Sequence, residues 1–446
     1  MRSALPKVAH PLAGRPIVRH VIEAARGAGV GDVVVVVGAG AEAAAVRAAA
    51  GDGVRFAVQA RPLGTADAVH AAREAAGDAG GVLIMNGDVP LVRADTLRRL
   101  MAALDGDGSD LALLTASVPV ESYGFIELDG DTVMRIVETK ETEGLDRAGA
   151  RPINSGQYAV RADWLWARLP AIAPAPNGEI YLTALAEMAR DAGRPAVAVW
   201  AADPAEVRGI NDRVQLAEAE AVMRDRIRRA HMLAGVTIAD PPSTFIDAGV
   251  RIGPDTAILP QTHLLGETSI GSGCAIGPGA FLRDATVGDR CVVRFSMIEE
   301  STVEADVDMG PYSHLRPGSY ICQGVHIGNF AEVKSSRLGR NTKMGHFSYI
   351  GDAQVGEDVN IGAGTITANY DGTRKHATTI GDGAFIGSDT MLVAPVTIGR
   401  GAATSAGSVV TRDVPDGAMA IGAPARIRAK HAREGQDGAQ EESAAD

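Results

Sequence analysis

Ile350-Gly351-Asp352-Ala353-Gln354-Val355-Gly356-Glu357-Asp358-Val359-Asn360-Ile361-Gly362 carries an aliphatic-Gly pair three times within thirteen residues. The pairing recurs upstream at Met344-Gly345, Leu338-Gly339, Ile327-Gly328, Val287-Gly288, Ile276-Gly277, Ile270-Gly271 and Ile252-Gly253, and downstream at Ile380-Gly381, Ile386-Gly387 and Ile398-Gly399. Many successive steps, such as Ile270 to Ile276 and Val355 to Ile361, are six residues or a multiple of six. An α-helix repeats every 3.6 residues and would scatter these side chains around its surface. Helical solenoids need repeats above ~20 residues. A parallel β-helix fits: each short strand turns one aliphatic inward, the following Gly permits the turn, and stacked coils bury what one coil cannot.

The chain has 446 residues, enough for two or three domains at roughly 150 each. Its formal charge is -12, a field that opposes binding to a phosphate polymer, so no nucleic-acid partner is expected. No apolar run reaches the ~20 residues of a bilayer span, and Met1 to Lys7 lacks the apolar block of a secretory signal. A soluble, cytoplasmic protein with no membrane partner is expected. The three cysteines (Cys274, Cys291, Cys322) include no Cys-x-x-Cys pair, which suits a reducing compartment and excludes a disulfide framework or thiolate zinc site.

Before Val236 the pattern changes to apolar runs, Val33 to Val37 and Val82 to Met85, separated by Ala/Arg/Glu-rich helical stretches. That alternation predicts an α/β doubly wound domain whose strands are buried on both faces. The expected organisation is a nucleotide-binding domain over 1–211, a linker helix over 212–235, the β-helix over 236–428 and a disordered tail over 429–446. Gly38-Ala39-Gly40-Ala41-Glu42-Ala43 matches the dinucleotide pattern G-x-G-x-x-G/A, but the next strand ends in Gln59 where a ribose-binding carboxylate belongs. A tight turn into helix packing is the better reading. Asp88, in Asn86-Gly87-Asp88-Val89-Pro90, stands at the carboxyl end of a buried strand, where open α/β sheets place ligands. Two roles fit it equally, a metal-holding carboxylate and a helix N-cap. Leu63-Gly64-Thr65 opens a helix whose backbone N–H groups point toward a base or phosphate.

Leu5-Pro6-Lys7-Val8, Gln59, Leu63-Gly64-Thr65-Ala66, Asn86-Gly87-Asp88-Val89-Pro90, Ile136-Val137-Glu138, Ile153-Asn154-Ser155-Gly156 and Gly209-Ile210-Asn211 resemble the sugar-phosphate nucleotidyltransferases. With a β-helix behind them, from Leu5 to about Ala425, they resemble the bifunctional N-acetylglucosamine-1-phosphate uridyltransferase/glucosamine-1-phosphate acetyltransferase family. The resemblance implies a Rossmann-like α/β domain, a left-handed β-helix and the synthesis of UDP-N-acetylglucosamine from UTP and acetyl-CoA. It also implies that Asp88 and Asn211 hold Mg2+, that Gln59, Gly64 and Thr65 read the uracil, and that Gly124, Glu138 and Asn154 hold the sugar. Lys7 would stabilise charge on the reacting phosphates.

The family opens with a strand and a Gly-rich loop that cradles the triphosphate, and this chain begins after them. Losing such oriented donors costs several kcal/mol of transition-state stabilisation, ~10^3-fold in rate or more. The uridyltransferase is therefore expected to be impaired if Met1 is the natural start, and a start placed too late is the favoured explanation. Tyr123-Gly124-Phe125, where the family has Gly-Arg, is a minor departure.

In the second half, polar residues interrupt the repeat: His314-Leu315-Arg316, Lys334, Lys343 to Tyr349, Asn360 and Asn369 to Gly372. Each alone reads as a solvated face or turn. Arg316, Lys334 and His346 are separated by 18 and 12 residues, so with three hexapeptides per coil Arg316 and Lys334 stack as a site for a phosphate dianion. The resemblance makes His346 the general base toward the amino group of glucosamine 1-phosphate, a task suited to a side chain of ordinary pKa about 6.5. It gives Arg316, Lys334 and Tyr349 to the sugar phosphate, and Asn360 and Asn369 to the sugar. Asn369, Ala363, Tyr370, Ser388 and Ala406 would line the acetyl-CoA groove. Ala423 stands where the family has a distal CoA-binding Arg, and neither Arg426 nor Arg428 is assigned that role. A homotrimer is implied. The rival readings are an acetyltransferase alone, a non-catalytic scaffold, and a metal-dependent hydratase using His314, His326, His346 and His376.

Overall fold

The computed structural model describes residues 1–106, 108–119, 124–137 and 149–429. Glu138, Tyr123 and the tail beyond Ala429 lie outside the described residues. The chain forms two compact units, Met1–Asp225 and a second beginning at Arg226. The helix Arg213–Leu233 contains the boundary between them.

The first unit starts with a short hairpin, Pro11–Leu12 against Arg15–Pro16, that leads into helix α1, Ile17–Gly27. In α1 the buried Ile17, Val18, Val21, Ile22 and Ala25 recur at helical spacing and form one apolar stripe. Next come β1 (Val34–Gly38), α2 (Glu42–Ala50), β2 (Arg55–Gln59), α3 (Thr65–Ala71) and β3 (Gly81–Ile84). The later strands are β4 (Leu111–Thr115), β5 (Phe125–Asp129), β6 (Thr132–Val137), β7 (Tyr158–Arg161) and β8 (Val197–Trp200). They assemble as a six-stranded sheet in the order β3-β7-β4-β8-β6-β5, while β1 and β2 form a separate parallel pair.

This pairing differs from a uniformly parallel sheet. Only β4 with β8 is parallel within the six strands; β7 runs antiparallel to both β3 and β4. An apolar run reports burial on two faces, not the direction of its neighbours. β4 is buried at all five positions although it has one antiparallel partner and one parallel partner. The Val33 to Val37 run forms β1, but there only Val37 is fully buried, because β1 is paired along one edge alone.

In the second unit the strands stack into three faces of twelve, ten and nine strands. On the first face Ile258, Ile276, Val293, Met309, Ile327, Met344, Ile361 and Ile386 pair coil upon coil in parallel register. All are buried, as the aliphatic-Gly repeat requires. Each inward Ile or Val contributes about 1.5–3 kcal/mol by leaving water. A single coil buries too few of them to be stable, so the unit holds only as a stack. With its hexapeptide repeats this is a left-handed parallel β-helix. One coil is longer than the others: between Ile361 and Ile386 it carries a loop closed by the His376 N–H on the Asn369 carbonyl at 2.8 Å.

Candidate active sites

In the first unit three of the expected residues meet. Lys7 lies in a short 3-10 turn, Lys7–Ala9, Asp88 follows β3 by four residues, and Asn211 precedes the helix at Arg213. The Lys7 ammonium donates to Asp88 Oδ2 at 2.5 Å and to Asn211 Oδ1 at 2.9 Å. The Ile210 N–H donates to the Asp88 carbonyl at 3.0 Å and tethers the two segments. A carboxylate and an amide oxygen sharing one cation form a hard-oxygen pair of the kind Mg2+ takes, with its remaining positions left to phosphate and water. Here the Asp88 carboxylate is bound to the Lys7 ammonium, and the helix that follows is capped at Arg93 and not at Asp88.

The expected base-reading residues are linked to one another. Gln59 Nε2 donates to the Gly64 carbonyl at 3.1 Å and to Asp67 Oδ2 at 2.7 Å. Gly64 has φ +118°, and a Cβ there would collide with the Ile180 backbone, so only glycine fits. The Ala66 N–H donates to Ile180 O at 3.0 Å and the Leu182 N–H to Thr65 Oγ1 at 2.9 Å. The Ala66 N–H is thus engaged within the fold and is not offered to a ligand. Asn154 accepts from Tyr158 OH at 2.8 Å, and its own N–H donates to Gly124 O at 2.9 Å. Thr65, Gly124 and Asn154 share the wall of one cavity with Asn86 and Gly87.

On the β-helix, register places the remaining residues in two groups. Leu315 pairs with Val333, so Arg316 and Lys334 lie side by side on adjacent coils, as their 18-residue spacing requires. Arg316 Nη1 is 2.8 Å from Glu332 Oε1. Lys334 pairs with Gly351, and the Tyr349 hydroxyl lies over Gly351, where a Cβ would strike it. Asn369 Nδ2 donates to Asp352 Oδ2 at 2.5 Å, and Lys375 Nζ lies 3.8 Å from the same oxygen. The neighbouring Lys375, and then Arg316, push the Lys334 ammonium below the usual lysine range. This concentration of positive charge is relieved by a bound anion.

The second group stands at the corner before the strand Ser348–Gly351. Met344 pairs with Ile361, Ile361 with Ile386, and Phe385 with Ala403, so His346, Ala363, Ser388 and Ala406 form one column on successive coils. Backbone bonds from Asp389 to Ala363 O (2.6 Å) and from Gly407 to Ser388 O (2.8 Å) hold it. Asn360 lies just before this column and His346 is exposed at its foot. Tyr370, also exposed, projects with the long loop and donates its hydroxyl to Gly372 O at 2.6 Å. His314, His326 and His376 are each engaged by a different carboxylate, Glu299, Asp308 and Asp371. Among the described residues no three metal-ligating side chains of His, Cys, Asp or Glu converge.

Residues 1–124 match the model of the MobA-like NTP transferase domain, and residues 249–284 and 377–412 that of the bacterial transferase hexapeptide. Proteins called bifunctional protein GlmU are similar along nearly the whole chain. The one from Pelobacter propionicus is 46% identical over 94% of this chain and 92% of its own, that from Brevibacillus brevis 45% over the same shares, and that from Heliobacterium modesticaldum 46%. The chain belongs to the GlmU family. As a GlmU protein it is bifunctional, joining a uridyltransferase unit to an acetyltransferase unit in the synthesis of UDP-N-acetylglucosamine. Within this GlmU chain the sequence pattern did not single out Lys375 or Asp352. Lys375 lies in the loop that breaks the six-residue period, and only the fold-back of that loop carries it to Lys334.

Proposed function

We propose that each unit performs its half of the synthesis with the residues brought together above. Glucosamine 1-phosphate places its phosphate among Arg316, Lys334 and Lys375, with Tyr349 and Asn369 beside it. Three cations around a dianion give charge-assisted hydrogen bonds, roughly twice as strong as neutral ones. His346 removes the proton from the amino group as its nitrogen attacks the thioester carbonyl of acetyl-CoA, and free thiol leaves. Asn360 holds the sugar. Acetyl-CoA lies along Ala363, Ser388 and Ala406, whose small side chains leave room for the pantetheine arm, with Tyr370 at the side. In the first unit Thr65, Gly124 and Asn154 receive UTP and the acetylated sugar phosphate, Gln59 and Gly64 shape the base pocket, and Lys7 neutralises the phosphates. Asp88 and Asn211 hold Mg2+, which when bound supplies charge neutralisation to the transferring phosphoryl group. Small-molecule substrates, a cytoplasmic location and a role in cell-wall precursor supply follow from this reading.

The observation that carries the acetyltransferase assignment is the stacking of His346 with Ala363, Ser388 and Ala406 in one column. The phosphate cluster lies at the other end of the strand Ser348–Gly351, where Lys334 pairs with Gly351. The strand Ser348–Gly351 alone spans about 10 Å at ~3.3 Å per residue, and His346 lies beyond it at the corner. A site completed between copies closes this distance, and a homotrimer supplies it. An exposed aromatic ladder supports that state. Phe295, Tyr312 and Phe330 stack at 5.7 and 5.4 Å, and Phe347, the residue after His346, continues the exposed apolar run. Exposed apolar patches of this kind mark association surfaces.

The test is complementation. His346→Ala and Lys334→Ala chains, each inactive in thiol release from acetyl-CoA, regain activity when unfolded and reassembled together, because some interfaces then join an intact base to an intact phosphate cluster. No gain on mixing would reject the shared site. Full thiol release by His346→Ala alone would reject the base.

A further inference from the structure

Gln59 ends β2, and Asp67 stands in the first turn of α3, eight residues later. Two acceptors hold the Gln59 amide nitrogen: the Gly64 carbonyl at 3.1 Å and Asp67 Oδ2 at 2.7 Å. A carboxamide has its donors on nitrogen and only lone pairs on oxygen, so neither acceptor would pair with the oxygen. The amide is thus fixed one way round, with both donors spent inside the fold. Oε1 is left as its group for a ligand, and among the described residues it accepts no hydrogen bond. The Gly64 carbonyl has no capacity to spare. It also accepts from the Ala68 N–H at 3.2 Å, which fills its second lone pair. The Leu63 carbonyl is engaged by the Ile180 N–H at 2.7 Å. The sequence pattern did not single out Asp67, because only the closure of this turn brings its carboxylate onto Gln59.

We infer that Asp67 is a positioning residue for base choice: by holding the Gln59 nitrogen it presents Oε1 to the N3 edge of a nucleotide's pyrimidine, which admits uracil and turns away cytosine. The inference rests on the base pocket proposed above. Uracil carries a proton on N3 and donates it to an acceptor. Cytosine has a bare lone pair on N3, so Oε1 would face it acceptor to acceptor. For Gln59 to serve cytosine its amide must turn over, and Oε1 would then lie against the Asp67 carboxylate. That arrangement gives up a charge-assisted hydrogen bond, about twice as strong as a neutral one, and sets two acceptors in contact. Without Asp67 only the neutral bond to Gly64 opposes the turn, and a new bond to cytosine N3 replaces it. In this role Asp67 acts through Gln59 and needs no contact with the base. A carboxylate in the first turn of a helix also favours the helix by its charge, so a change in stability alone does not report the role.

The test is equilibrium binding of UTP and of CTP, each with Mg2+, to the full chain and to three variants. The parent is expected to prefer UTP by roughly a hundredfold, and Asp67→Ala to lower that preference about tenfold, in part by binding CTP more tightly than the parent does. Lost packing does not produce a gain for the wrong base. Asp67→Asn keeps the shape, but its amide donates to Oε1 as readily as its oxygen accepts from Nε2, so its preference falls between the two. Gln59→Ala removes the reader and is expected to abolish the preference. A preference unchanged in Asp67→Ala but lost in Gln59→Ala would overturn the role of Asp67 and leave the base pocket standing. A fall that comes wholly from weaker UTP binding would mean a damaged pocket and would count against Asp67 in the same way. A preference that survives Gln59→Ala would reject Gln59 as the base reader, and the inference with it. No binding of either nucleotide by the parent, or equal binding of both, would overturn it as well, since no base choice would then exist for Asp67 to direct.

Discussion

Lys375, carried on the long loop of the β-helix, lies 3.8 Å from Asp352, the neighbour of the Gly351 that pairs with Lys334, and its charge lowers the proton affinity of Lys334. Two ammonium groups held side by side favour an anion between them. Lys375→Met is expected to raise KM for glucosamine 1-phosphate by ten- to a hundredfold with a smaller change in kcat, and Lys375→Arg to recover most of the loss. The folded Lys334 pKa lies below that of the unfolded chain. The unfolded state therefore binds more protons between the two values, and stability rises as pH climbs through that alkaline window. At neutral pH the repulsion is fully present, so Lys375→Met also melts at a slightly higher temperature, while phosphate stabilises the parent more than the variant. An unchanged KM would remove Lys375 from the site.

Asp88 and Asn211 both accept from the Lys7 ammonium. Asp88→Asn is expected to abolish the Mg2+-induced rise in melting temperature of the first unit, and to lower Mg2+-dependent pyrophosphate release by ~10^3-fold or more. Thiol release by the β-helix stays unchanged. A Mg2+ shift that survives in the variant would place the metal elsewhere.

His20 in α1 is buried, and one ring nitrogen lies 2.7 Å from the Leu12 carbonyl. Burial pushes its pKa below the ordinary 6.5. In the window between the two values the unfolded chain takes up a proton that the folded chain does not, so stability is full above about pH 6.5 and falls as pH drops toward the folded value. His20→Gln keeps a donor for Leu12 and removes the titration. Melting of the variant between pH 7 and 5 is expected to be flatter than that of the parent, and an equal slope in both would refute this origin.

Phe330 is 61% exposed and has φ +58°, a backbone region unfavourable for a bulky side chain and well tolerated by Asn. Phe330→Asn should leave the coil folded, by circular dichroism and melting temperature, while shifting the protein toward monomer in sedimentation and reducing thiol release. An unchanged sedimentation coefficient would separate the ladder from assembly.

The six-residue aliphatic-Gly period determined the β-helix by itself, because one inward side chain per short strand is a local rule that the sequence displays directly. The same period placed Arg316 beside Lys334, and motif resemblance marked Lys7, Asp88 and Asn211, which do converge. Strand direction in the first unit was not legible, since β4 is equally apolar against an antiparallel and a parallel neighbour. The approach of Lys375 to Lys334 and the column above His346 were decided only by tertiary structure. Each depends on contacts between segments far apart in the chain, and no local pattern encodes their distance.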